Sequence, residues 1–231
     1  MLAAESVDLK HISDGFEESS PQEILRWAVD RYHPRLTMAT AFGAEGCVII
    51  SMLAEIEPDV KIYNLETGYQ FAETLEMRER INARYGIEVE YIHADETVAA
   101  MESRFGGPIY NSHPDECCRI RKIVPLRRAV AGYSAWISAI RRDQTAHRAQ
   151  SAIVDWDRKF DLVKINPLAN WTKRDVWSYI MKHDVPYNPL HDQGFPSIGC
   201  RPCTHPSNQG DDDRSGRWLG SLKTECGLHT H

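Results

Sequence analysis

Apolar and polar positions along the chain switch repeatedly between a helical and a strand period, and this switching predicts the layout of the fold. Ser20-Pro21-Gln22-Glu23 has the form of a capping box with proline in the first turn, which predicts a helix running to about residue 32. Residues 36–41 (LTMATA) form a short apolar run suited to a buried strand. The glycine-containing turn Phe42-Gly43-Ala44-Glu45-Gly46 follows, and CVIISMLAEI after it has the length and pattern of a buried helix. Residues 60–65 (VKIYNL) predict a second strand, closed by the turn Glu66-Thr67-Gly68. Residues 70–85 read as a helix stopped by Gly86, and 87–92 (IEVEYI) alternate as a third strand.

A basic helical stretch over 115–131 carries two adjacent cysteines, and Pro125 predicts a kink or a split there. Residues 134–140 (SAWISAI) are another buried strand, followed by the Arg-rich turn RRDQTAHR; 162–165 form a last strand and 172–183 a capped helix. Beyond about residue 191 the periodicity gives way to Gly, Pro and Asp, with no regular element expected to the end. Strands alternating with helices predict an α/β fold with a mostly parallel sheet covered on both faces.

Composition narrows the class. The chain has 231 residues, 42% hydrophobic and 26% charged, which suits one sizeable folded domain and excludes wholesale disorder. No apolar run approaches the ~20 residues of a membrane span. The first residues lack a basic-then-apolar leader pattern, so a cytoplasmic location is expected. A formal charge of −6 argues against broad nucleic-acid binding. A local group of arginines can still receive an anionic small molecule.

The six cysteines are Cys47, Cys117, Cys118, Cys200, Cys203 and Cys226. A disulfide framework fits poorly with a core of this size and no leader. Cys117-Cys118 and Cys200-x-x-Cys203 meet only through folding, and four thiolates there would hold zinc or an iron–sulfur cluster. Adjacent cysteines chelate a single ion awkwardly, because neighbouring side chains diverge; both readings stay open on spacing. Cys47 reads as a buried core thiol, and Trp171 and Trp177 as core residues. His191 and His205 flank the CxxC and are further ligand candidates. Asp211-Asp212-Asp213 reads as a solvated loop.

Two turns, Thr40-Phe42-Gly43 and Leu65-Thr67-Gly68, close consecutive strands, where open α/β sheets bind ligands. Lys122, flanked by Arg119 and Arg121, is either part of a solvated basic helix face or a cation beside the thiolates. Arg141 and Arg142 follow the SAWISAI strand, and Arg214 and Arg217 lie in the irregular tail; guanidinium forks there suit phosphate and sulfate oxygens. Cys226 stands in KTECGLH, with Lys223 and His229 favouring its thiolate and Glu225 opposing it.

TAFGAEG, LETG, ECCRIRK, ISAIRRDQ, the stretch NPLANWTKRDVWSYI to VPYNPLHDQGFPSIGCRPCT, and the terminal KTECGLH together resemble the assimilatory adenylyl-sulfate (APS) reductases, close kin of the phosphoadenylyl-sulfate (PAPS) reductases. The resemblance spans about residues 36–229. It implies a Rossmann-like, PP-loop-type adenine-nucleotide-binding domain over 1–190. A C-terminal segment over 191–231 would carry the CxxC and a mobile catalytic-Cys tail. TAFGAEG departs from the SGGxDS loop of ATP-cleaving relatives, which argues against ATP cleavage.

The resemblance further implies a [4Fe–4S] cluster on Cys117, Cys118, Cys200 and Cys203, and Cys226 as nucleophile. Thr40, Phe42, Gly43, Leu65, Thr67, Gly68, Lys122, Arg141, Arg142, Arg214, Arg217 and His229 would bind substrate. The implied activity, within sulfate assimilation and cysteine biosynthesis, is thioredoxin- or glutaredoxin-dependent reduction of adenosine 5′-phosphosulfate to sulfite and AMP through a cysteine S-sulfonate. A homo-oligomer is compatible with the family. Two alternatives stand beside this: a PAPS-preferring reductase with a cluster, and a zinc- or cluster-based redox-sensing binding protein.

Overall fold

The computed structural model describes residues 2–207, 213–219, 223, 225, 227 and 228, with side chains from residue 8 onward. Cys226, His229, Asp211 and Asp212 therefore lie outside the described residues.

The chain opens with α1 (Leu2–Gly15), which the hydrophobic pattern did not reveal. The Ser13 hydroxyl near its end accepts hydrogen bonds from the backbone of Ile153 and Val154, so the helix is anchored by a distant edge strand. α2 (Pro21–Tyr32) begins with the expected capping box, Ser20 and Glu23 satisfying each other's backbone N–H groups. β1 (Leu36–Thr40) runs into α3 (Ala44–Ile56), which starts at Ala44, earlier than the apolar run implied. β2 (Lys61–Glu66), α4 (Ala72–Tyr85) and β3 (Val89–His93) follow as expected, α4 ending at Gly86 in the left-handed conformation (φ 70°).

Three short helices, α5 (Val98–Phe105), α6 (Ile109–Ser112) and α7 (Pro114–Cys118), lead into a π-helical turn at Arg119–Ile123 and then α8 (Val124–Ala129). Pro125 splits the basic stretch as expected, by a local change of pitch. It has no N–H to give, and the preceding Val124 N–H reaches back to Arg119 O across the wider turn. β4 (Ala135–Ile137) is shorter than the apolar run that predicted it. β5 (Val154–Asp157) was not anticipated; its sequence, VDWD, is a charged edge strand that pairs antiparallel with β6 (Leu162–Ile165). α9 (Lys173–His183) carries the expected cap at Thr172.

The strands form one sheet in the order β3-β2-β1-β4-β6-β5, parallel except for β5. β1 lies between β2 and β4; the chain leaves β1 toward β2 on one side and leaves β4 toward β5 and β6 on the other. The crevice at the carboxyl end of β1 is the topological switch point, where such sheets bind ligands. The main core packs β1, β2 and β4 against α2, α3 and α9. Residues from Cys47 to Leu53 on α3 are buried, which explains its nearly unbroken apolar run. Trp171 and Trp177 pack against this core. No helix among the described residues is long and apolar enough to cross a membrane.

Candidate active site

The β1–α3 turn is built from its own side chains. The Thr40 hydroxyl accepts from the Phe42 N–H at 2.9 Å, and Phe42 itself turns wholly into the core at φ 53°. Gly46 in the first turn of α3 packs so closely on Thr40 that a Cβ would lie 2.6 Å from its hydroxyl. Asn64 on β2 donates to Thr40 O at 2.9 Å, tying the ends of β1 and β2 together. In the next turn, Arg121 donates from Nε to Thr67 O at 2.7 Å and from Nη1 to Glu96 O. Arg121 is thus a buried strut, whereas Arg119 is an exposed partner of Glu116.

Above these turns lies a cleft of about 210 Å³. Thr40, Gly43, Leu65, Thr67, Lys122, Arg214 and Arg217 from the sequence reading line it, with Arg148 and Gln144 from the Arg-rich turn. The other described substrate-binding candidates, Phe42, Gly68, Arg141 and Arg142, do not. Phe42 and Gly68 shape the turns from behind. Arg141 is buried beneath the cleft floor, donating to Glu45 at 2.9 Å and to Asp213 at 3.2 Å, with Asp143 as a third partner. Burial opposes its charge, but these carboxylates outweigh it and raise its pKa. Its neighbour Arg142 faces outward and holds Glu17 through two bonds of 2.7 and 2.8 Å. Asp213 is not a solvated loop residue, since it pairs with both Arg141 and Lys173.

Cys117, Cys118, Cys200 and Cys203 line one small enclosed cavity beside the cleft. Lys122 and Cys200 belong to both spaces, so a cation and a thiol form the shared wall. Thr67 Oγ1 lies 3.3 Å from Cys200 Sγ. Burial would push the Cys200 thiol up, but Lys122, Thr67 and Arg217 together hold it below its ordinary value. Burial and the other three sulfurs push Cys117 up to about 12, and burial with Cys200 pushes Cys203 to about 11. Mutual repulsion of this kind is what metal binding relieves. No carboxylate or imidazole lines the cavity among the described residues, and no three His, Cys, Asp or Glu side chains there converge on a single-ion site. Cys47 is fully buried elsewhere in the core, its thiol pushed by burial to about 12.

The C-terminal residues on either side of position 226 rest on the cleft. Glu225 is buried and accepts from Arg148 Nε and Nη2 at 2.9 and 2.8 Å. Lys159 donates to Gly227 O, Leu228 lines the cleft, and Lys223 pairs with Asp115. Glu225 therefore spends its charge on two arginines, Arg148 and Arg214, rather than acting as an isolated carboxylate beside Cys226. Two cleft residues present buried acceptors with no partner among the described residues, Gln70 Oε1 and His191 Nε2. The His191 Nδ1–H donates to Phe195 O at 2.8 Å, and burial keeps the ring neutral by lowering its pKa. His205 is exposed and lines neither space. Sequence reading missed Arg148, Gln70 and the strut role of Arg121. Each is an ordinary polar residue in a turn or helix until the fold shows where it points.

Comparison with known proteins agrees with this geometry. The phosphoadenosine phosphosulfate reductase domain matches residues 35–206. A protein of Gloeobacter violaceus named phosphoadenosine 5′-phosphosulfate reductase is 44% identical, covering 99% of this chain and 96% of its own. Adenosine 5′-phosphosulfate reductase 1 of Bacillus subtilis is 43% identical over 93% of this chain and 94% of its own. The crystal structure of the phosphoadenylyl-sulfate reductase of Candida auris, a phosphate complex, superposes with a TM-score of 0.76 at 30% identity. That match covers 85% of this chain and 96% of the other.

Proposed function

Because the chain belongs to the phosphoadenosine phosphosulfate reductase family, and is an oxidoreductase of that family, we propose that it reduces adenosine 5′-phosphosulfate to sulfite and AMP in sulfate assimilation. The observation that carries this reading is the shared wall. A thiol-lined cavity and a strand-end cleft with Lys122, Arg148, Arg214 and Arg217 meet at Lys122 and Cys200, beside the tail that contains Cys226.

The adenosine half occupies the apolar side of the cleft over the ends of β1 and β2, and the phosphosulfate lies among the four cations. The Cys226 thiolate attacks the sulfate sulfur; an S–S bond forms, the bond from sulfur to the bridging phosphate oxygen breaks, and AMP leaves with that electron pair. Lys122 and the three arginines oppose the charge that gathers on the leaving phosphate. A thiol of thioredoxin or glutaredoxin then attacks the Cys226 sulfur and expels sulfite. Its second thiol resolves the mixed disulfide, so two thiols supply the two electrons. Arg141 supports Glu45 and the floor from below, and Arg142 secures the turn after α1 through Glu17.

Four thiols lining one cavity, with no carboxylate or imidazole among its described lining residues, are the donor set of a [4Fe–4S] cluster, which Cys117, Cys118, Cys200 and Cys203 would hold. When bound, that group supplies structural and electrostatic support at the Lys122 wall, not the electrons of the reaction.

Anaerobic native mass spectrometry before and after APS, without thiol reductant, tests the reading. A [4Fe–4S] mass with a sulfonate adduct mapping to Cys226 is the expected result; zinc and no adduct would overturn it. The name of the Gloeobacter relative favours a second reading, PAPS preference, and turnover rates with the two substrates compared side by side separate the two.

A further inference from the structure

Gln70 sits just beyond β2, and its side chain folds back over the strand end. Its Nε2 donates to Asn64 Oδ1 at 2.9 Å and to Leu65 O at 2.8 Å. The Leu65 carbonyl can only accept. Asn64 is fixed in turn, because its own Nδ2 donates to Thr40 O at 2.9 Å. A relay from Thr40 through Asn64 therefore sets the Gln70 amide in one orientation; a flip would press its oxygen against two acceptors. The Gln70 Oε1 that results is buried, has no hydrogen-bond partner among the described residues, and belongs to a residue lining the cleft. A buried acceptor left without a donor is costly, and a ligand that brings the donor removes the cost.

The anionic end of a nucleotide phosphosulfate has only acceptors to offer, and Lys122, Arg148, Arg214 and Arg217 answer those. Donors come from the nucleoside: the exocyclic amine of the base and the ribose hydroxyls. Ala39, Ala41 and Leu65, at the ends of β1 and β2, give the cleft apolar lining, and Leu65 is the residue whose carbonyl the Gln70 amide holds. A flat base packs on such a surface, whereas a ribose would lose hydration there.

We infer that Gln70 is a specificity-determining residue that accepts a hydrogen bond from the 6-amino group of adenine. This rests on the adenine-nucleotide reading of the cleft and goes further by naming the residue that reads the base. A 6-oxo purine places a carbonyl oxygen where the amine stood and sets acceptor against acceptor, which a site built around a hydrogen bond rejects strongly.

The test uses the full-length, anaerobically purified protein and measures binding of AMP, IMP and purine riboside 5′-monophosphate by calorimetry. The native chain should bind AMP roughly tenfold or more tighter than IMP. Gln70→Met, close in size and without an acceptor, should bring the AMP to IMP ratio near one. Removing the amine from the ligand should cost the native chain affinity and cost the variant little; because this is a ratio within each protein, a general loss of stability does not imitate it. An unchanged AMP to IMP ratio in Gln70→Met, or equal binding of AMP and IMP by the native chain, would overturn the inference while leaving the nucleotide cleft standing. Failure of the native chain to bind AMP would overturn the adenine-nucleotide reading itself, and this inference with it.

Discussion

Arg148 and Glu225, 77 positions apart in the chain, form a bidentate ion pair at 2.9 and 2.8 Å with both side chains almost wholly buried. Arg214 adds a third contact to the same carboxylate at 3.3 Å. Both arginines line the cleft, so the residue preceding Cys226 is held by groups that also face the substrate.

Glu225→Gln should therefore destabilise the protein by about 3 kcal/mol, the usual cost of leaving a buried charge without its partner, and should lower kcat/KM for sulfite release. Urea unfolding and a sulfite assay on the same preparation check both. The pH dependence has a definite sign. Burial works against the Glu225 charge, but Arg148 and Arg214 outweigh it and hold the carboxyl below its usual range. Its contribution is thus fully present above about pH 4.5 and is lost as pH falls through the lowered native value. The Gln variant should lack that part of the acid dependence.

Cys226→Ser should retain the iron content of the native protein and lose sulfite release altogether. A sulfite assay beside an iron determination decides this, and retained turnover would remove Cys226 from the chemistry.

Replacing Cys117, Cys118, Cys200 or Cys203 with serine, one at a time, should remove most bound iron and acid-labile sulfide. Cys47→Ser should leave both in place, because Cys47 is fully buried in the main core, away from the cavity that the other four share. A colorimetric iron and sulfide assay separates the two groups of variants.

Burial keeps His191 neutral, with its pKa held below 6.5 despite nearby Glu45 and Asp192. The unfolded chain takes up that proton first as pH falls, so the native state should lose stability between about pH 6.5 and the lowered native value. Urea midpoints measured across that range should fall, and His191→Gln should flatten the dependence.

Gly68 adopts φ 77°, and a Cβ there would lie 2.4 Å from Val98 Cγ2 and 3.3 Å from the Arg121 guanidinium. Gly68→Ala should cost roughly 2 kcal/mol or more, as strain in a left-handed turn compounded by the clash. A lowered melting temperature checks it, and the displaced Arg121 should loosen the Thr67 turn beside Cys200.

Much of the frame was legible from local pattern. The capping box at Ser20, the helix cap at Thr172, the stop at Gly86 and the break at Pro125 involve residues within a few positions of each other, and the structure has all four. α1 and β5 were not legible, because neither has a strong period of its own. Each is held by distant contact, α1 through Ser13 to residues 153 and 154, and β5 through its pairing with β6.

The sequence alone determined the alternation of strands and helices, the two turns that close β1 and β2, and the inventory of thiols and cations from which a site could be assembled. Tertiary structure decided which of them face one another. Adjacent arginines separated, Arg141 beneath the cleft floor and Arg142 outward to Glu17, while Arg148, unremarkable in its turn, reached the cleft and Glu225. Secondary structure follows from backbone and side-chain preferences over a few neighbouring residues, which the sequence displays directly. The direction of a long charged side chain depends on where opposite charges and buried surfaces from remote segments come to rest, and only the folded chain sets those positions.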